Sequence, residues 1–195
     1  ISLSPLSMAG HSLGEYTALV ATKSINFFDA IRLVKKRGEL MQAAVPSGTG
    51  SMAAILGLED SLIIEKCDNA SVKGVVEAVN FNSPGQVVIA GQKEAVAYAC
   101  ELLKEAGAKR ALILPVSVPS HCSLMKEAAN EFKKSIENVE FRLSDINVIH
   151  NVDADCSNTT EEIKSKLVEQ LYNPVLWASS VLKMKELGIE KLLEV

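Results

Sequence analysis

The sequence predicts an α/β protein in which a core of alternating strands and helices is interrupted by a small α+β insert. Three observations predict it. A strand–turn–helix motif opens the chain, the C-terminal part alternates β and α as parallel-sheet proteins do, and about 65 residues between them run β-α-β-β-α-β.

Leu6-Ser7-Met8-Ala9-Gly10 reads as a short buried strand, and Glu15 to Ala21 as the helix after it. A second helix spans Phe27 to Ala44 and stops at Val45-Pro46-Ser47-Gly48, where proline and glycine break the periodicity. The pattern then changes to a strand at Ser51 to Leu56, a helix at Asp60 to Asn69, and strands at Val75 to Phe81 and Val87 to Ala90. A helix from Gln92 to Ala106, closed by Gly107, and a strand from Ala111 to Pro115 complete it. That order is the signature of a ferredoxin-like unit. It is expected over residues 48–115, with 1–47 and 116–195 forming an incomplete α/β core. Within the second part of that core come a helix (Ser123 to Ile136), a strand (Asn147 to Val152), two helices (Glu161 to Gln170, Val175 to Leu187) and a last strand, Lys191 to Val195. No internal repeat is visible.

Composition narrows the function. The 195 residues are 48% hydrophobic and 23% charged, a folded globular mix rather than a disordered one. No apolar run approaches the roughly 18 residues of a membrane span. A net charge of −4, from 20 basic and 24 acidic residues, leaves no basic footprint for nucleic acid. Cys67, Cys100, Cys122 and Cys156 lie far apart with no C-x-x-C pair, which suits a reduced cytoplasmic chain better than a disulfide framework or a zinc site. Ile1-Ser2-Leu3-Ser4-Pro5 has neither the basic nor the apolar region of a signal peptide. Since the chain starts without Met and ends on a strand lacking a turn or cap, both ends read as cut, and a longer protein is expected.

Gly10-His11-Ser12-Leu13-Gly14 fits G-x-S-x-G between a strand and a helix. The serine of such a motif occupies a sharp, strained turn, and residues two before and two after are expected to lack side chains so that strand and helix can approach. Its Oγ is then exposed at a helix N-terminus, where backbone N–H groups can hold an oxyanion. At roughly 7% usage for each fixed residue, a chain of this length gives about 0.07 chance matches, so the motif marks a nucleophile.

A nucleophilic serine needs a base, and the chain has 3 histidines. His11 adjoins Ser12 in the turn, so its side chain should point away from Oγ. His150 alternates with Val148 and Val152 along a strand and reads as a satisfied structural residue. His121 follows Val118-Pro119-Ser120 in a loop where the insert returns to the core, the kind of place where catalytic groups are mounted, and is the preferred base.

In the helix Phe27–Ala44, an apolar arc is formed by Phe27, Ala30, Ile31, Leu33, Val34, Gly38, Leu40 and Met41 at 100° per residue. Arg37 falls inside it. A guanidinium there must meet an anion or snorkel to water. A structural salt bridge, a snorkelled stem and a bidentate clamp for a substrate carboxylate all fit. Two weaker signals are the amide-rich turn Asn80-Phe81-Asn82-Ser83-Pro84-Gly85-Gln86, a plain turn or a polar-chain contact, and the basic cluster Lys104, Lys109, Arg110, a solvated face or a docking patch.

Ala9-Gly10-His11-Ser12-Leu13-Gly14-Glu15, Arg37-Gly38, the turn Asn80 to Gln86, Pro115-Val116-Ser117-Val118-Pro119-Ser120-His121 and Tyr172-Asn173-Pro174-Val175 resemble the malonyl-CoA:acyl carrier protein transacylases of bacterial type II fatty acid synthases, in family order along essentially the whole chain. The resemblance implies a hydrolase-like parallel-sheet core with a ferredoxin-like insert. It implies Ser12 as the acylated nucleophile, His121 as its base and Arg37 as partner of the malonyl carboxylate. Met41 matches a position lining the acyl pocket, and Leu13 counts among the substrate-binding positions. Asn82 matches one near the pantetheine arm, Ser120 matches the malonyl-handling type, and Lys109 and Arg110 match positions that dock the acidic carrier protein. Malonyl-CoA and acyl carrier protein are the implied partners of a cytoplasmic monomer in fatty acid biosynthesis. CoA enters as the thioester substrate, and no cofactor, metal, membrane or nucleic acid is expected.

The sequence departs from the family by absence. The family opens with a strand and a Gly-Gln-Gly-Ser-Gln loop whose glutamine serves the oxyanion hole, and continues past the equivalent of Val195 with a Gly-Pro-Gly loop that helps orient the histidine. Neither is within this sequence. Losing one oxyanion donor costs about 10²–10³ in kcat, so this stretch alone is expected to be impaired. It is also expected to leave sheet edges exposed. Two rival readings are a serine esterase or patatin-like hydrolase, with Asp153 or Asp155 supporting the base, and an inactive fragment that only docks carrier protein.

Overall fold

The structure is a computed structural model that describes residues 5–116 and 118–195; residues 1–4 of the N-terminal reading and Ser117 of the Pro115–His121 motif lie outside them. The elements are β1 (Ser7–Ala9), α1 (Gly14–Ala21), α2 (Phe27–Ala43), β2 (Gly50–Leu56), α3 (Asp60–Ala70), β3 (Val76–Ser83), β4 (Gln86–Gln92), α4 (Lys93–Glu105), β5 (Arg110–Ile113), α5 (Lys126–Glu137), β6 (Asn147–Ile149), α6 (Thr160–Glu169) and α7 (Trp177–Glu186).

β1 and β6 pair in parallel, Ser7 opposite Asn147 and Ala9 opposite Ile149, so the turn after β1 lies beside the chain leaving β6. Helix α2 starts where Asn26 accepts the Asp29 N–H, which satisfies a donor that the first turn leaves free. Its buried residues Ala30, Leu33, Arg37 and Met41 recur every three or four positions and make one stripe. That stripe faces α5, and α5 packs in turn on α6. Together they enclose Tyr16, Leu19, Leu33, Phe132, Ile136, Leu167 and Leu171. Each fully buried Leu or Phe there contributes about 1.5–3 kcal/mol.

The other four strands form an antiparallel sheet in the order β3-β4-β2-β5. Side chains alternate in β2 and β4 with the two-residue strand period. Ala53, Ile55, Val87 and Ile89 pack beneath α3 and α4 with Ile63, Val96 and Leu103. On the opposite face, Met52, Val88 and Ala90 meet Val79 and Cys122, the residue after His121. The sheet therefore serves as a wall for the loop that carries the expected base. Register shifts in β3 between Ala78 and Asn80, and between Phe81 and Ser83, loosen its pairing with β4. There Phe81 N–H donates to Val175 O (2.9 Å) and Val175 N–H to Val79 O (2.8 Å), which ties β3 to the segment before α7.

Several expected boundaries move for local reasons. Val175 bonds to β3, so α7 starts only at Trp177. β6 ends at Ile149 rather than Val152 because the chain turns back on itself. His150 O accepts the Ala154 N–H (3.1 Å), and Ala154 adopts a positive φ of 55°. The helix expected from Ser123 begins as a 3₁₀ turn, Ser123–Met125. The strand expected at Lys191 to Val195 is not formed. A strand exists only through a ladder to a neighbour, these residues have none among the described residues, and Leu192, Leu193 and Val195 are exposed. Among the described residues, no helix is long and apolar enough to cross a membrane.

Candidate active site

The turn between β1 and α1 is as sharp as the motif requires. A Cβ built on Gly10 would lie 2.0 Å from the Gly14 carbonyl carbon and oxygen, so only glycine fits. The expectation for Gly14 does not hold in the same way: a Cβ there meets nothing within 4 Å. Ser12 sits at φ 53°, in the left-handed region. Asn151, just beyond β6, clamps the turn at two points: its Oδ1 accepts the Ser12 N–H (2.6 Å) and its Nδ2 donates to Gly10 O (2.8 Å). The Leu13 N–H finds no acceptor among the described residues, and Leu13 itself is half exposed at the head of α1.

Ser12 Oγ lies 2.8 Å from His121 Nε2. The other ring nitrogen, Nδ1, is 2.6 Å from the main-chain oxygen of Gln170, which can only accept, so Nδ1 carries the proton and Nε2 is free to take one from Ser12. Burial first, and the charge of Arg37 second, pull the His121 pKa down from 6.5 to about 3, against the upward pull of the Gln170 carbonyl. His121 is thereby held neutral at physiological pH, the state in which an imidazole can act as a general base.

Arg37 projects from α2 to the same point. Its Nη2 donates to Ser12 Oγ and to Gln170 Oε1, each at 3.0 Å. Its side chain is buried, its Nε has no partner, and no carboxylate lies within ion-pairing distance of it among the described residues. Of the three readings open from sequence, a structural salt bridge and a snorkelled stem are therefore both absent here. Met41, one turn further along the buried stripe, lies in the core.

Beneath this trio lies a floor that the sequence reading missed. Glu15 is fully buried and accepts from His150 Nδ1–H (2.7 Å), Asn151 N–H (3.0 Å) and Gln170 Nε2–H (2.8 Å). Gln170 Nε2 also donates to Ser12 O (3.0 Å). Glu15 stood inside the recognised motif, a usable signal; Asn151 and Gln170 come from distant segments and carried none.

The remaining expected residues fall around this centre. His11 turns away from Oγ as anticipated, its Nε2–H donating to Asn82 Oδ1 (2.9 Å) and its ring 5.6 Å from that of Trp177. Asn82 is thereby brought to the elbow from β3. His150 is buried and satisfied by Glu15. Ser120 is partly buried immediately before His121. Lys109 and Arg110 are exposed where β5 begins and make no ion pair among the described residues. Asp153 and Asp155 pair with Lys166 (2.8 Å) and Lys183 (2.9 Å) respectively, and neither bonds His121.

The profile of the acyl transferase domain family matches residues 3–195. Malonyl CoA-acyl carrier protein transacylase of Escherichia coli K12 is 56% identical over 191 residues, covering 98% of this chain and 62% of that protein. The Bacillus subtilis protein of the same name is 45% identical, covering 99% of this chain and 61% of its own length. Among solved structures, a malonyl-transacylase in complex with its type II PKS acyl-carrier protein superposes with a TM-score of 0.97 at 53% identity, covering 98% of this chain and 62% of that one. An acyl carrier protein S-malonyltransferase from Vibrio cholerae gives 0.95 at 57%, covering 97% and 62%. The chain thus spans a little over three-fifths of the length of these relatives, with 62% of the Escherichia coli protein covered. Over the length that it does span, the chain belongs to the acyl transferase domain family.

Proposed function

We propose that this chain carries the nucleophile, base and acyl-selecting cation of a malonyl transferase, which moves a malonyl group from CoA to the phosphopantetheine thiol of acyl carrier protein. The observation that carries the reading is the position of Ser12 Oγ, between His121 Nε2 at 2.8 Å and a buried Arg37 that has no ion-pair partner among the described residues.

His121 Nε2 takes the Ser12 proton as Oγ attacks the thioester carbonyl. The oxyanion develops at the head of α1, where the Leu13 N–H, without an acceptor among the described residues, is placed to donate. The C–S bond then breaks, and His121 returns the proton to the departing CoA thiolate, leaving malonyl-Ser12. In the second half, the carrier thiol gives its proton to His121, its sulfur attacks the ester, and Ser12 Oγ recovers the proton as it leaves. Arg37 holds the free carboxylate throughout, with Met41 and Leu13 beside the acyl chain, Ser120 at the base and Asn82 toward the pantetheine arm. A neutral acyl group would leave the guanidinium unpaired, and that cost is the source of discrimination.

Exposed Lys109 and Arg110 form the carrier-docking face on a small subdomain of residues 48–115, set against a core of 1–47 and 116–195. The protein acts in the cytoplasm without a cofactor. A hydrolase reading would want a carboxylate behind the base, and His121 instead leans on a main-chain carbonyl. The test is intact-mass detection of malonyl-enzyme on adding malonyl-CoA. Ser12→Ala should abolish it. Arg37→Ala should cut malonyl-over-acetyl preference roughly ten- to hundredfold, the worth of a hydrogen bond to a charged group. Unchanged preference would refute the clamp.

A further inference from the structure

Glu15 spends every hydrogen bond it accepts on the floor of the site, and one of them decides how Arg37 is held. Gln170 is fully buried, and its Nε2 faces two acceptors that carry no hydrogen, Glu15 Oε2 (2.8 Å) and Ser12 O (3.0 Å). Its Oε1 is therefore left to face Arg37 Nη2 (3.0 Å). Turning the amide over would set its oxygen against a carboxylate and a carbonyl, and its NH₂ against a guanidinium, losing three hydrogen bonds at once. The carboxylate of Glu15 thus selects which end of the amide Arg37 meets.

The spacing has a chemical consequence. A Glu15–Arg37 ion pair in direct contact would compete with any incoming carboxylate. With one amide between them, Glu15 orients the guanidinium and offsets its buried charge at a remove, and Arg37 has no carboxylate of the described residues in contact. We infer that Glu15 is a positioning residue for acyl-group selection, which acts through the Gln170 side-chain amide to hold Arg37 ready for a substrate carboxylate. The inference rests on the malonyl-transfer reading above. The His121 Nδ1 bond to the Gln170 main chain survives a side-chain substitution, and loss of the Gln170 Nε2 bond to Ser12 O falls on every acyl donor alike, so the difference between donors reads selection alone.

The experiment compares Glu15→Gln and Gln170→Met in the natural protein, with malonyl and acetyl thioesters as alternative acyl donors. The expected result in each variant is a malonyl kcat/KM that falls about tenfold further than the acetyl kcat/KM, with the extra loss in KM. Parallel falls for the two donors, or wild-type selectivity in both variants, would overturn the inference, since a merely structural role moves both donors together. Should Glu15→Gln fail to fold, Gln170→Met breaks the same relay from the other side and decides alone. Failure of the underlying reading looks different: the wild-type protein itself would form no malonyl-Ser12, or would not prefer malonyl, and the inference would fall with it.

Discussion

Acidification separates a buried base from an ordinary histidine. With His121 held at about 3, the neutral imidazole persists far below the usual titration range. At pH 5 a group with a pKa of 3 is about 99% neutral, whereas one with an ordinary pKa near 6.5 is only about 3% neutral, so the supply of base differs roughly thirtyfold. The assay is quenched-flow formation of acyl-Ser12 between pH 5 and pH 8, read by intact mass, with an acetyl thioester as a control whose acyl group does not titrate. The rate should show no inflection near 6.5. A roughly thirtyfold loss by pH 5 would refute the placement of His121 in a shielded pocket. The same shift affects folding with a definite sign. The folded pKa is lowered, so the unfolded chain binds the proton first. Stability from keeping His121 neutral is complete above about pH 6.5 and is lost as pH falls toward about 3. Arg37→Ala removes the second cause of the shift but leaves burial, the largest, so the His121 pKa should rise only part of the way to 6.5, as NMR titration of its ring protons would show.

Two further predictions concern the turn and the docking face. Gly10→Ala drives a methyl into the Gly14 carbonyl at 2.0 Å and should cost several kcal/mol in urea unfolding along with acylation, whereas Gly14→Ala, with open space around it, should cost about 1 kcal/mol or less. Equal losses would show that the close approach is not what the motif protects. Lys109→Glu and Arg110→Glu should raise the KM for carrier protein and flatten its dependence on salt, measured by transfer to holo-carrier protein between low and high ionic strength; an unaltered salt slope would remove these residues from the docking face.

What the sequence revealed follows from which signals are local. The two-residue alternation of β2 and β4 and the stripe of α2 are periodic, so these strands and the inward-facing Arg37 could both be read from spacing. The elbow could be read because its glycine and serine constraints lie within five residues. The floor could not. Asn151 reaches Ser12 across 139 positions and Gln170 reaches it across 158, and a buried asparagine or glutamine looks like a surface one until the chain closes over it. The partner of the His121 ring was hidden more deeply, because a main-chain carbonyl has no side-chain identity to detect. The missing strand at Lys191 to Val195 has the same root, since strand propensity says nothing about whether a partner is present to complete the ladder.

Both residues of the proposed nucleophile–base pair have left-handed backbone, Ser12 at φ 53° and His121 at φ 65°. Such a conformation costs about 1–3 kcal/mol per non-glycine residue and persists only where the surroundings over-determine it. At Ser12 the carbonyl takes bonds from both Glu15 N–H (3.1 Å) and Gln170 Nε2 (3.0 Å). At His121 the main-chain N–H bonds Leu171 O (3.0 Å) and the ring bonds Gln170 O (2.6 Å). The two strained residues are therefore fastened to adjacent positions, 170 and 171, at the C-terminal end of α6. This shared anchor, with the Asn151 clamp on the Ser12 turn, holds Oγ 2.8 Å from Nε2. Arg37, mounted on α2, reaches the same anchor through the Gln170 side chain and bonds Ser12 Oγ as well, so residue 170 touches all three groups of the proposed site. In the proposed malonyl transfer, a disturbance at the end of α6 would therefore reach nucleophile, base and cation at once.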